Sequence, residues 1–271
     1  MTVAVRELRE PGTDEWTQVA VEWIETAPQK LWRRHSDLVN TMLLERWMPR
    51  EKVARILKTD LFDEVVAKGV YPMLATRGDS VLALDISPMV SIAARKRYPR
   101  LETMGADVRA LPLADDSVDV IVSLSTLDHF HGQDEIHRAL LELFRVLAPG
   151  GTLIMTLDNP ANPIVALRNK LPYRLTHSLR LVPYPVGTTL MPRAACDAVA
   201  RAGFKVDRCS AVMHAPRVAA IPAMNAADKR NWSSFQSSLL KAAIRFEKLE
   251  RLPTRFLTGH FIAIRARKPT S

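Results

Sequence analysis

Glycine is scarce in this chain: 10 residues of 271, about 4% where ordinary composition runs near 7%. Proline, at 18, outnumbers it. No Gly-x-Gly-x-x-Gly loop and no P-loop pattern occurs, which excludes the usual dinucleotide fingerprint and the Walker-type phosphate cradle. Cysteine is limited to Cys196 and Cys209; two cysteines build no disulfide framework, and the composition points to a cytoplasmic setting. Seven scattered histidines and two distant cysteines give no metal-ligand spacing, so no metal is expected. A nucleophile elbow is also missing, which removes the common serine-hydrolase plan. No apolar run reaches the ~18–20 residues of a membrane span. Arg6, Glu7, Arg9 and Glu10 stand where a secretory signal would need an apolar stretch, so export is not expected.

What remains is an ordinary globular inventory. Apolar residues make up 47% and charged residues 25%, enough for a buried core and too apolar for whole-chain disorder. The net charge of +9 suits anionic partners in general. Its carriers are dispersed, as in Arg33-Arg34, Arg95-Lys96-Arg97 and Lys229-Arg230. None is interleaved with aromatics in a way that reads bases, and a nucleic-acid partner is not expected.

Four of the five tryptophans, Trp16, Trp23, Trp32 and Trp47, fall in the first fifty residues. Their apolar neighbours recur at helical spacing, which predicts an N-terminal helical layer over residues 1–50. From about residue 51 short apolar runs alternate with amphipathic stretches. Strands are predicted at 53–57, 81–84, 101–106, 119–123 and 152–157, with helices at 61–74, 89–98 and 134–147. A helix at 194–202, strands at 204–213 and 261–264, and an amphipathic helix at 231–249 complete the pattern. The last helix carries Trp232, Phe235, Leu239, Ala242, Phe246 and Leu249 as its apolar set. Such alternation predicts an α/β fold with a mostly parallel sheet covered on both faces. The proline-rich text near 160–190 and the segment 214–250 read as cap insertions in a single domain spanning 51–271.

Four pieces in order then resemble the class I S-adenosylmethionine-dependent methyltransferases. They are Val81-Leu82-Ala83-Leu84-Asp85-Ile86-Ser87, Gly105-Ala106-Asp107-Val108, Asp115-Asp116-Ser117-Val118-Asp119 leading into a strand, and Arg145-Val146-Leu147-Ala148-Pro149-Gly150-Gly151. The resemblance covers residues 52–160 well and 190–268 loosely. It implies a Rossmann-like, seven-stranded sheet and S-adenosyl-L-methionine as cofactor. By the same resemblance Asp85 and Ile86 border the ribose, Asp107 and Val108 the adenine, and Ser123 the sulfonium region. In an open parallel sheet these positions lie beyond the carboxyl ends of the strands, where ligands bind.

The departure is in the first loop. The family has an acid and a glycine-rich turn there; this chain has Lys58-Thr59-Asp60-Leu61-Phe62-Asp63-Glu64. Asp60 and Thr59 are then the candidates to border the methionine moiety, with Lys58 or Thr59 able to contact a carboxylate. Asp128-His129 follows the fourth strand, where an imidazole titrating near neutrality can serve an acceptor that must lose a proton. The expected activity is methyl transfer to a small or lipid-linked metabolite. The alternative is a methyltransferase-like binding or scaffold protein without catalysis. Peripheral contact of the 231–249 region with a membrane surface stays open beside simple core packing.

Overall fold

The computed structural model describes residues 15–171, 187–230 and 232–270. Two helices come first, α1 (Glu15–Thr26) and α2 (Lys30–Trp47). The alternating part follows: β1 (Val53–Lys58), α3 (Phe62–Val66), α4 (Tyr71–Arg77), β2 (Gly78–Asp85), α5 (Pro88–Arg97), β3 (Glu102–Gly105) and β4 (Val118–Leu124). Then come a 3-10 turn at Leu127–His129, α6 (Gln133–Val146), β5 (Leu147–Asp158) and α7 (Pro163–Lys170). The chain closes through α8 (Pro192–Arg201), β6 (Lys205–Val212), α9 (Arg217–Lys229), α10 (Ser233–Arg245), a 3-10 segment at Phe246–Arg251, α11 (Arg255–Thr258) and β7 (Phe261–Arg267).

The seven strands form one sheet in the order β3-β2-β1-β4-β5-β7-β6. All neighbours are parallel except β7, which runs antiparallel to both β5 and β6. This is the expected Rossmann-like methyltransferase architecture, with one strand reversed. The chain winds outward from β1 to β3, then returns to place β4 on the other side of β1. The order therefore reverses between β1 and β4, and a crevice opens at their carboxyl ends.

Strand alternation divides the core in two. Ile56, Val81, Ala83, Val120 and Val122 face one layer, which includes Trp32, Leu43, Leu44 and Trp47 of α2 and Met224 and Leu240 of α9 and α10. Leu57, Leu84, Ile121, Leu153 and Met155 face the other, against Ile136, Leu140 and Leu143 of α6 and Val199 of α8. Ile56, Leu57, Val120, Ile121 and Val122 are wholly buried, as strands covered on both faces must be.

Three predicted elements differ in instructive ways. The helix expected at 61–74 is two short helices broken around Gly69, whose φ is +65°. Buried acids take the backbone amides that a continuous helix would use: Glu64 Oε1 accepts from Val70 and Tyr71, and Asp37 Oδ2 from Lys68 and Gly69. A Cβ on Gly69 would lie 2.4 Å from Glu64 Oε1. The helix expected at 134–147 ends at Val146, and β5, expected from residue 152, already begins at Leu147. The long helix near 231–249 runs as α10 and then tightens into 3-10 turns. Of the insertion read near 160–190, residues 172–186 lie outside the described residues.

Candidate functional site

At the switch point a cleft encloses about 1330 Å³ of empty space, part of it open to solvent. One wall comes from the strand ends, with Thr59, Asp60, Leu84, Asp85, Ile86, Asp107, Val108 and the turn residues Ser125 and Thr126. The opposite wall comes from elements outside the sheet's first half: Trp16 of α1, Trp32 and Arg33 of α2, Arg217 of α9 and Phe261 of β7. His129 stands between the two, its ring 4.4 Å from Trp16 edge to face.

Asp85 ends β2 because its carboxylate takes over where the strand's own bonds stop. Oδ1 accepts from Ser87 N at 2.9 Å and Oδ2 from Leu61 N at 3.1 Å. Each oxygen keeps acceptor capacity, since an ionised carboxylate offers about four lone-pair sites. Burial pushes its pKa up to about 6, against the pull of those two amides. Ser87 in turn starts α5, accepting from Val90 N, with Pro88 in the first turn.

Asp107 is engaged differently. The Arg109 guanidinium forks onto both its oxygens, with Nε 3.0 Å from each, and the Arg109 amide adds a bond at 2.8 Å. Partial burial would raise its pKa, but the hydrogen bonds and charge of Arg109 outweigh that and hold it below the ordinary carboxylate range. A ligand amine at this position shares Asp107 with Arg109. Arg109 itself lies over the Phe130 ring and pairs with Glu135.

Two candidates stand one layer behind the wall. Ser123 is buried and receives the Thr59 hydroxyl at 2.9 Å; Thr59 also bonds Thr126 at 2.8 Å. This hydroxyl chain ties the end of β1 to the end of β4. Asp128 is buried too, its Oδ2 accepting from Ser125 Oγ and Asp158 N. It braces the turn that carries His129 rather than facing the cleft.

The glycine-free loop is built around Lys58. Its side chain is 2% exposed and turns away from the cleft. The ammonium donates to Asp60 O at 2.5 Å and contacts Asp60 Oδ2 at 3.2 Å and Glu64 Oε2 at 2.8 Å. Burial works against this charge, yet the two carboxylates outweigh it and hold the pKa above that of ordinary lysine. No residue from 58 to 64 takes a positive φ, so the loop keeps an ordinary backbone and needs no glycine. Phe62 and Asp63 border the cleft without closing it. The open crevice, the spare lone pairs of Asp85 and the hydroxyl chain at Thr59 fit an adenosyl group.

The far wall was not legible in the sequence. Arg217 lies 5.5 Å over the Trp32 ring, and its Nη1 is 2.8 Å from His260 Nε2. Burial, then the charges of Arg217 and Arg168, push the His260 pKa well down. The imidazole is therefore neutral and its Nε2 accepts from Arg217, which orients the guanidinium at the cleft. Asp158, at the end of β5, is held by Arg168 at 2.5 Å. Arg33 pairs with Asp63 at 2.7 Å and covers Trp23 at 4.2 Å. A helical periodicity shows that Trp32 and Arg33 are neighbours on α2; it does not show which ligand edge α2 overhangs. Among the described residues no cluster of histidine, cysteine or carboxylates could hold a metal.

Residues 67–155 match the family model described as a methyltransferase domain. Over this stretch the chain is similar to the class I S-adenosylmethionine-dependent methyltransferases. S-adenosyl-L-methionine is the cofactor of this family. The match begins just past the Lys58–Glu64 loop, the stretch in which this chain departs from the family pattern. A Mycolicibacterium smegmatis protein, named as a probable S-adenosylmethionine-dependent methyltransferase, is 28% identical over 134 residues, covering 49% of this chain and 48% of its own. The chain spans about half the length of that relative. Among solved structures, the Haloferax volcanii protein in complex with the methyltransferase activator Trm112 has a TM-score of 0.60 at 17% identity, over 96% of this chain and 100% of that one. The [4+2]-cyclase SpnF has a TM-score of 0.56 at 17% identity, over 87% and 81%. These likenesses show the fold. That a cyclase shares it means the reaction has to be argued from the site.

Proposed function

We propose that this methyltransferase moves a methyl group from S-adenosyl-L-methionine to a small or lipid-linked acceptor held in the same cleft. The observation that carries the reading is that Asp85 and Asp107 open onto one crevice which continues past His129 to the Trp16, Trp32 and Arg217 wall. In this reading Asp85 accepts from the ribose hydroxyls with Ile86 beside them, and Asp107 and Val108 border the adenine. Thr59 and Asp60 border the methionine moiety, and Ser123 supports that end through Thr59. When bound, the cofactor supplies an electrophilic methyl group on a sulfonium. The chain's task is then to orient the acceptor and exclude water.

His129 faces the cleft, where it can take a proton from an acceptor that ionises as it attacks. Asp128 acts behind it by fixing the 127–129 turn. The N-terminal helices α1 and α2 supply the acceptor wall through Trp16 and Trp32, residues 1–14 of the expected layer lying outside the described residues, and the cap region adds Arg217. No helix among the described residues is long and apolar enough to cross a membrane; with two free cysteines, a cytoplasmic location is the reading we adopt.

Calorimetry with S-adenosylhomocysteine tests the proposal. Binding in the micromolar range is expected, weakened by about tenfold or more in Asp85→Ala, equivalent to at least about 1.4 kcal/mol. Affinity is also expected to fall as pH drops through about 6, because protonation of Asp85 removes an acceptor. No heat from either S-adenosylmethionine or S-adenosylhomocysteine would refute it. The second reading, a binding or scaffold protein, rests on the charge-locked loop at Lys58; tight cofactor binding without turnover on any acceptor would favour it.

A further inference from the structure

Helix α10 presents its apolar stripe to solvent. Leu240 and Ala243 are buried against the core. On the neighbouring strip Phe235, Leu239, Ala242 and, just past the helix, Phe246 follow one another three or four residues apart, with Leu239 half-buried at the seam. Trp232, Phe235 and Phe246 are 50%, 45% and 41% exposed. The Trp232 and Phe235 rings pack edge to face at 5.8 Å, and Arg230 lies 5.0 Å over Trp232. Exposed aromatics grouped in this way mark a contact surface rather than scattered surface residues.

The charges around the stripe have one sign. Between 229 and 251 the exposed ionisable groups are Lys229, Arg230, Lys241, Arg245, Lys248 and Arg251. The two acids of the segment are used elsewhere. Glu247 is buried and accepts from the amides of Met213 and His214. Glu250 is held by Arg46 at 2.6 Å and by Ser210. On α10, Ser233, Ser234, Ser237 and Ser238 are exposed and small, so a flat surface can approach the helix closely.

We infer that the Trp232–Arg251 face docks on an anionic lipid bilayer surface, with Trp232, Phe235 and Phe246 in the headgroup boundary and the six cations on the phosphates. Trp232 favours the interface because its indole is apolar with one polar N–H, and Phe235 and Phe246 add apolar area beside it. A helix with an apolar strip edged by lysine and arginine lies in the interface plane without crossing it. Cations near an anionic surface add an attraction that salt screens, so affinity depends on both parts. The inference is independent of the cofactor site, because none of these residues lines the cleft.

The test is co-sedimentation of the full chain with vesicles of phosphatidylcholine alone and of phosphatidylcholine mixed with phosphatidylglycerol. Binding is expected to the mixed vesicles only and to weaken as salt is raised. The pair Trp232→Ala with Phe235→Ala, and separately Lys241→Glu with Arg245→Glu, should each reduce it about tenfold or more. All four side chains are exposed, so circular dichroism and the unfolding midpoint serve as fold controls. Sedimentation with neither vesicle would overturn the inference. So would aromatic variants that bind like the parent, since plain adsorption of a +9 protein would then suffice. Self-association in solution that the aromatic pair abolishes would assign the face to a second copy instead, and would also overturn it.

Discussion

Replacing Lys58 by methionine probes the feature that sets this chain apart from the methyltransferases it resembles. The ammonium is buried, 2% exposed, and it lies 2.8 Å from Glu64 Oε2, whose side chain is wholly buried. Glu64 cannot rotate into water: its Oε1 accepts from Val70 and Tyr71 at 2.9 and 3.2 Å, which fixes the start of α4. Lys58→Met therefore leaves a buried carboxylate with two amide donors and no counter-charge. Breaking one side of such a pair costs about 3–5 kcal/mol. For a chain of this size each kilocalorie moves the unfolding midpoint by about 2–4 °C, so a fall of roughly 6–20 °C is expected. The deficit has a pH signature. Burial already raises the pKa of Glu64 against the pull of Lys58, and losing Lys58 raises it further, so protonation favours the folded state and the deficit shrinks as pH falls. Adding Glu64→Gln should recover most of the loss, because the amide oxygen still accepts from Val70 and Tyr71. Urea unfolding of the parent, single and double variants at several pH values measures all three effects. A loss below about 1 kcal/mol, or a double variant no better than the single, would refute the claim that this pair holds the loop in place of glycine.

Other perturbations follow from the same geometry. Burial, aided by the charge of Asp63, pushes Asp37 up to about 7. An acid with a raised folded pKa binds its proton more tightly when folded, so the stability it confers is present below about 4 and lost as pH climbs towards 7. Asp37→Asn should therefore be near neutral in acid and gain about 1–2 kcal/mol above pH 7 in thermal unfolding; equal effects at both ends would contradict the shift. Gly187 donates to Asp128 O at 3.0 Å, and a Cβ there would lie 2.3 Å from Phe130 O. Gly187→Ala should cost about 1–3 kcal/mol and displace the 127–131 turn, read as lower S-adenosylhomocysteine affinity in calorimetry. His260→Leu should leave that affinity within about twofold while weakening acceptor turnover, because His260 touches Arg217 and not the cofactor end; a matching loss of cofactor affinity would show that His260 acts on the whole cleft.

Much of the sheet was readable because its cause is local. Val120-Ile121-Val122 is apolar on both faces, and only a strand covered on both sides accommodates that. Asp85 follows the apolar run Val81–Leu84 directly, so its place at a strand end was a matter of counting, whereas Asp107, two residues past the weakly apolar β3, was placed by the resemblance. The first loop could be seen to lack glycine, yet the remedy could not: Lys58 finds Glu64 six residues on by turning inward, and periodicity carries no information about that turn. The same limit explains the helix predicted at 61–74. Two of the bonds that break it come from Asp37, far along the chain on α2.

By itself the sequence determined which residues alternate, which share a helix face, and that an acid stands at the end of β2 and another after β3. Those properties depend on neighbours within a turn or a strand. Only the tertiary structure decided what each face meets. It brought Trp16, Trp32 and Arg217, up to two hundred residues apart, to one rim, and it turned the aromatic strip of α10 outward while Leu240 and Ala243 went in. Periodicity says which side chains lie together on an element. Which of those sides is buried depends on the elements packed around it, and that choice is made by the chain as a whole.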